Sequence, residues 1–116
     1  MASVATYNFP SHINGDTFSG VQFEVLVNAA ALDLTGADIT MQLKYSNIGA
    51  VKAEFSTANT KLEITDAVAG KFAFKEQIID LCPKLYIYDI EILLPDGRKH
   101  TYIKGTWKIE CDITNS

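Results

Sequence analysis

Apolar and polar residues alternate with period two along most of the chain, the signature of strands that bury one face. Val21, Phe23, Val25 and Val27 alternate with Gln22, Glu24, Leu26 and Asn28, and the first set is expected to face a core. Ile39, Met41, Leu43 and Tyr45 alternate in the same way with Asp38, Thr40, Gln42 and Lys44. Shorter apolar sets follow at Val51, Ala53 and Phe55, at Leu62 and Ile64, and at Phe72 and Phe74. A short edge strand is expected over 7–10, ended by a proline that cannot donate to a ladder. Asn14-Gly15-Asp16, Asp33-Leu34-Thr35-Gly36, 46–49 and 66–70 supply turns, spaced roughly 8–12 residues apart as in an all-β sandwich. Residues 76–82 break the alternation and predict one short helical turn, closed by Pro83 because the residue before proline avoids helical geometry.

The strongest local signal is a terminal hairpin, 85–94 and 99–113, around Pro95-Asp96-Gly97-Arg98. A two-residue Asp96-Gly97 loop predicts its register. Tyr86 then faces Trp107, Tyr88 faces Gly105, Ile90 faces Ile103 and Ile92 faces Thr101 on one, apolar side. Leu85 meets Lys108, Ile87 meets Thr106, Asp89 meets Lys104 and Glu91 meets Tyr102 on the other, and a slip by one residue would mix the two faces. Seven to eight strands with one helical turn describe an immunoglobulin-like antiparallel β-sandwich occupying 1–116 as a single domain, with 1–6 a flexible N-terminal arm. Tyr86 or Tyr88 stands where such folds place a tyrosine corner, whereas the antibody-type Cys…Trp…Cys framework is missing.

Composition narrows the functional field. The chain has 116 residues, 47% hydrophobic, with ten basic and fourteen acidic residues and a net charge of −4. Arg98 is the sole arginine, and phosphate recognition favours arginine, so nucleic acid is not an expected partner. No apolar run approaches the roughly 18 residues that span a bilayer, so no membrane partner is expected either. Residues 1–9 lack the basic and apolar regions of a signal peptide, which predicts synthesis in a cytoplasm. There Cys82 and Cys111 are expected to be two buried, unpaired thiols.

No constellation of catalytic or ligating residues emerges. Cys82 with His100 lacks the sequence context of a thiol nucleophile. His12, Cys82, His100 and Cys111 lack the close spacing of a zinc site. Asp89 and Glu91 share a strand face, where solvated carboxylates are the expectation. Neither an enzyme, a cofactor nor a metal is therefore expected. Leu26, Leu85, Ile87, Leu93 and Tyr102 fall on the outer face without a core role. Ile87, Leu93 and Tyr102, with Lys104 beside them, form the candidate protein–protein interface, because apolar patches mark such surfaces.

Several motifs in order carry a resemblance: Gly15-Asp16-Thr17-Phe18, Leu32-Asp33-Leu34-Thr35-Gly36 followed by Met41-Gln42-Leu43, and Ile64-Thr65-Asp66 before Gly70-Lys71-Phe72. Tyr86-Ile87-Tyr88-Asp89-Ile90-Glu91, Pro95-Asp96-Gly97 and Ile103-Lys104-Gly105-Thr106-Trp107-Lys108-Ile109 complete the set. From about Phe9 to Ile113 the chain resembles the immunoglobulin-like domains of tailed-phage structural proteins, most of all the N-terminal domain of baseplate upper proteins. The resemblance implies a virion protein: an adaptor or docking module of tail, baseplate or neck, made in the bacterial host cytoplasm. Its partners would be other phage structural proteins, with a homo-oligomer left open. Capsid decoration is one alternative. A carbohydrate-binding module is another, and would rest on Tyr102 and Tyr7 as its aromatic platform.

Overall fold

The alternating segments pair into two main sheets in a computed structural model that describes residues 5–27, 29–46 and 48–111. The larger sheet has six strands: β1 (Ala5–Thr6), β2 (Phe9–Ile13), β7 (Asp38–Lys44), β8 (Ala53–Ser56), β12 (Lys84–Leu93) and β13 (Lys99–Glu110). Its spatial order is β1 and β2 on one side of β13, then β12, β7 and β8. The smaller sheet packs β4 (Val21–Glu24), β10 (Lys71–Phe74) and β9 (Leu62–Asp66) in that order. Two short pairs complete the fold: β3 (Thr17–Phe18) with β11 (Gln77–Ile78), and β5 (Leu26–Val27) with β6 (Ala30–Ala31).

The core lies where the alternation directs it. Ile39, Met41, Leu43, Tyr86, Tyr88, Ile90, Ile92, Trp107 and Ile109 from the larger sheet meet Phe23, Phe72, Phe74 and Leu62 from the smaller one. Trp107 is fully buried, with the rings of Phe9, Phe18 and Phe74 at 4.6, 5.2 and 5.7 Å from its own. This is the immunoglobulin-like β-sandwich that the pattern predicts, with several expected strands divided. The expected strand through Val27 splits at Val25, where β4 stays with β10 and β5 turns to β6; Asn28 lies outside the described residues. Tyr45 and Val51 are exposed beyond the ends of their strands.

The helical turn expected over 76–82 does not form. Gln77–Ile78 pairs antiparallel with Thr17–Phe18 instead. The backbone groups of this stretch find partners across the sandwich rather than within a turn: Ile79 N–H donates to the Asp16 carbonyl at 3.2 Å and Leu81 N–H to Asn14 Oδ1 at 2.9 Å. Ile79, fully buried, anchors the segment.

The terminal hairpin follows the expected register from Leu85↔Lys108 to Ile90↔Ile103, and then departs from it. Past a bulge, Glu91 faces Thr101 and Ile92 faces His100, not Tyr102 and Thr101. Tyr102 is the extra residue, and the bulge turns it to the core side beside Ile103, where both are buried. The loop explains the offset. Gly97 N–H donates to the Leu94 carbonyl at 2.9 Å and Leu94 N–H to the Arg98 carbonyl at 2.8 Å, so Pro95, Asp96 and Gly97 form a three-residue loop. Gly97 alone takes a positive φ, 94°. Pro95, with φ fixed near −65°, suits the first central position of a type I turn, and Gly97 closes it. The expected continuation of this hairpin to Ile113 lies outside the described residues.

The N-terminal segment is part of the sheet from Ala5 onward, which corrects the expected arm over 1–6; residues 1–4 lie outside the described residues. Ala5 and Thr6 pair parallel with Ile103 and Lys104, and Phe9 with Trp107. Between them the ladder is rewired. Tyr7 N–H donates to the Lys104 carbonyl at 2.9 Å, as in a regular parallel ladder, but the Tyr7 carbonyl turns away and accepts from the Tyr88 hydroxyl. Asn8 Oδ1 replaces it as the acceptor for Thr106 N–H at 3.1 Å. Gly105 makes the swap possible, because a Cβ there would overlap the Tyr7 carbonyl oxygen and lie 2.7 Å from its carbonyl carbon.

Tyr86 provides the corner. Its hydroxyl donates to the Cys82 carbonyl four residues upstream, at 2.7 Å, tying the entry of β12 to its own strand. Burial, with Tyr45 beside it, pushes the phenol up to about 12, so it remains a donor throughout the physiological range. Tyr86→Phe is expected to lower stability by about 1–1.5 kcal/mol, the net worth of one such bond. Urea unfolding followed by tryptophan fluorescence measures it.

Candidate surface groove on the outer sheet face

Outward positions of three adjacent strands line a concavity on the outer face of the larger sheet. β12 contributes Ile87 and Asp89, β7 contributes Gln42 and Lys44, and β13 contributes Thr101, Lys104 and Thr106. Thr6 and Asn8 close one side, and the groove encloses about 450 Å³. The register explains the arrangement. Ile87 faces Lys44 on one neighbour and Thr106 on the other, and Asp89 faces Gln42 and Lys104. A half-buried aliphatic floor therefore lies between two lysine-bearing strands.

Asp89 and Lys104 face each other as expected, yet form no salt bridge; the ion pairs among the described residues are Arg98–Asp96 at 2.8 Å and Lys99–Glu91 at 3.5 Å. Desolvation by the groove wall pushes the Asp89 carboxyl above the usual carboxylate range. Glu91 repels it in the same direction, and Lys44 offsets part of the shift. A raised folded-state value favours the protonated form in the native protein. The stability Asp89 contributes is therefore present below the ordinary carboxylate range and lost as pH rises through its raised value. Asp89→Asn is expected to stabilise the protein at neutral pH and to leave acid stability unchanged. Thermal melts across the acidic to neutral range read this out.

Of the four expected interface residues, the structure unites two. Ile87 is on the floor and Lys104 on the rim. Leu93 is exposed but six residues further along β12, roughly 20 Å away at the usual rise per residue. Tyr102 is in the core, not on the outer face. The carbohydrate platform loses that same tyrosine, while Tyr7 packs edge-on against Phe9 and Phe23. Leu26 and Leu85 are exposed singly. Sequence reading missed Lys44, Gln42, Asn8 and Thr6. The outward parity of Lys44 and Gln42 was visible, but their place beside Ile87 depends on strand order.

The other candidate groups are dispersed. Cys82 precedes β12 at one end of the hairpin, while His100 faces Ile92 near the other. His12 Nε2 lies 2.9 Å from the Asp16 carbonyl. Among the described residues no cluster of His, Cys, Asp and Glu is placed to hold a metal ion. Both cysteines are exposed and unpaired, which corrects the expectation of buried thiols.

The edges of the larger sheet differ. β8 is an edge strand, but Asn59 occupies its open side: Asn59 Oδ1 accepts from Ser56 N–H at 2.9 Å and its Nδ2 donates to the Glu54 carbonyl at 3.1 Å. Lys61 N–H covers the Ser56 carbonyl at 3.1 Å. A folded-back loop thus takes the place that an added strand would use.

No protein-family model matches this sequence, and no curated protein matches it. Among solved structures the chain is similar to CopC from Methylosinus trichosporium OB3b. The TM-score is 0.44 and the identity 10%, over 87% of this chain and 84% of that one.

Proposed function

We propose that the chain is a structural protein of a tailed-phage particle, a docking module that joins larger components of the tail, baseplate or neck through protein–protein contact. The observation that carries the reading is the outer-face groove of about 450 Å³, where Ile87 lies between Lys44 and Thr106 and Lys104 stands opposite the neighbouring Asp89. A partner loop with an apolar side chain would bury against Ile87 and place acceptors near the two ammonium groups. The ordered motifs behind the phage resemblance support the particle assignment. Asn14–Asp16, Asp33–Gly36 and Pro95–Gly97 sit in the turns that join successive strands of this sandwich. Contact at such a face depends on a few central residues, so one substitution can release it.

The test is quantitative mass spectrometry of purified particles from the phage or lysogen that encodes the chain. The protein is expected at a fixed copy number, and its ratio to tail and capsid proteins separates an adaptor from capsid decoration. Ile87→Asn is expected to reduce the incorporated copies about tenfold or more while leaving the melting temperature of the free protein near wild type. Absence of the chain from particles overturns the particle assignment, and full incorporation of the variant overturns the groove as the docking site.

A further inference from the structure

The outer-face groove carries two lysines, Lys44 and Lys104, that form no ion pair among the described residues. At the Lys44 end of the sheet, Lys52 Nζ and Lys84 Nζ lie 4.8 and 4.9 Å from the ring centre of Tyr45, and these two lysines are likewise in no ion pair among the described residues. A chain with a net charge of −4 thus gathers unpaired cations along one part of one face. The register sets the separation of the groove lysines. Lys44 on β7 is level with Ile87 on β12, and Lys104 on β13 is level with Asp89. Passing from one lysine to the other crosses two strand spacings and advances two residues, so their Cα atoms are about 12 Å apart. An extended segment carries its first and fifth side chains on one face about 13 Å apart, with the third midway between them. At the midpoint of the groove stand the half-buried Ile87 and the Asp89 carboxyl, which repels a further acid there but not an alkyl group.

We propose, resting on the docking reading above, that the groove receives an extended acidic segment of a partner protein, with acidic side chains at its first and fifth positions over Lys44 and Lys104 and an aliphatic one at its third over Ile87. The segment lies diagonally across β7, β12 and β13. Its carboxylates supply the counter-charges that the two lysines lack, and its central side chain covers the aliphatic floor. Discrete carboxylates suit this face better than the continuous charge of a nucleic acid. Glu54, bonded to Gln42 at 3.2 Å, and Glu91, paired with Lys99 at 3.5 Å, flank the same strands and oppose a polyphosphate.

The experiment titrates the isotope-labelled whole chain at low salt with capped peptides and follows its amide resonances. The first peptide is Ser-Glu-Ser-Leu-Ser-Glu-Ser, the second has the same composition with both glutamates adjacent at one end, and the third has glutamine in place of glutamate. A thymidine oligonucleotide serves as the polyphosphate probe. The first peptide is expected to shift amides around Lys44, Ile87 and Lys104 and to bind about threefold or more tightly than either other peptide or the oligonucleotide. Lys44→Gln and Lys104→Gln are each expected to weaken it about threefold, and added salt to weaken it further. Equal binding of the second peptide overturns the spacing, equal binding of the third overturns the acidic character, and tighter binding of the oligonucleotide overturns the choice of a protein segment. Absence of any shift around the groove overturns the proposal outright. Particle incorporation separates it from the docking reading. If Ile87→Asn is excluded from particles while the Lys44→Gln/Lys104→Gln double variant is fully incorporated, the groove docks its partner and the acidic segment falls. Absence of the chain from particles overturns the particle assignment alone, because peptide binding is read on the free chain.

Discussion

Gly105→Ala is expected to destabilise the fold by about 3–4 kcal/mol, although it adds one methyl group. Overpacking in a core costs about 1–3 kcal/mol when side chains can yield. Here the obstacle is backbone, because the new Cβ would overlap the Tyr7 carbonyl oxygen and lie 2.7 Å from the carbonyl carbon. Relief requires the N-terminal strand to lift from β13. That breaks the Tyr88–Tyr7 bond and displaces the Asn8 side chain that completes the ladder to Thr106. Each such bond is worth about 1 kcal/mol net. Urea unfolding gives the total. Tyr88→Phe removes only the hydroxyl donor, so it should cost about 1 kcal/mol. The two changes act on one unit, and the double variant should lose less than the sum of the singles. Strict additivity would show that Gly105 and Tyr88 do not share the Tyr7 carbonyl.

Trp107→Ala carries the other large effect, about 4 kcal/mol, in the range of aromatic truncations in cores. Trp107 is fully buried against aromatic rings from β2, β3 and β10, so its removal opens a cavity at the meeting point of both sheets. Trp107→Phe should be much milder, about 1–2 kcal/mol. It retains an aromatic ring in the cavity. It also deletes the buried indole N–H, which has no hydrogen-bond partner among the described residues, and an unpaired buried donor carries a desolvation cost that phenylalanine lacks. Thermal and urea unfolding followed by far-UV circular dichroism measure both variants without relying on the lost fluorophore.

Period-two alternation made the core strands legible because each has one dry face, and the lower register of the terminal hairpin followed from side-chain matching alone. The bulge was also written in the chain. Tyr102-Ile103 places two large apolar residues side by side in a strand that otherwise alternates, and only an extra residue lets both face the core. Pro95 argued for a three-residue loop in the same way, since its φ suits a type I turn. Residues 76–82 were ambiguous because short apolar runs fit helix and strand alike. What no local pattern carries is strand order. The parallel pairing of Ala5–Thr6 with β13 joins residues almost a full chain apart, and the groove exists only because β7 flanks β12. Ile87 and Lys104 were recognisable as outward-facing, whereas Lys44 joins them through topology. The exposed cysteines were misread because the cytosolic argument addresses redox state rather than burial.

The parallel pairing of the first strands with the last also decides how the molecule bears mechanical load. β1 and β2 run in the same direction as β13, with Ala5 level with Ile103 and Ile13 level with Glu110. Tension applied to the chain ahead of Ala5 and beyond Cys111 pulls these neighbours in opposite senses along their shared axis. The hydrogen bonds between them are then sheared together instead of peeled one at a time. Rupture has to break the ladder, the Asn8–Thr106 bond and the Tyr7–Tyr88 bond nearly at once, so the sandwich resists stretching through its ends far more than peeling at the 95–97 loop.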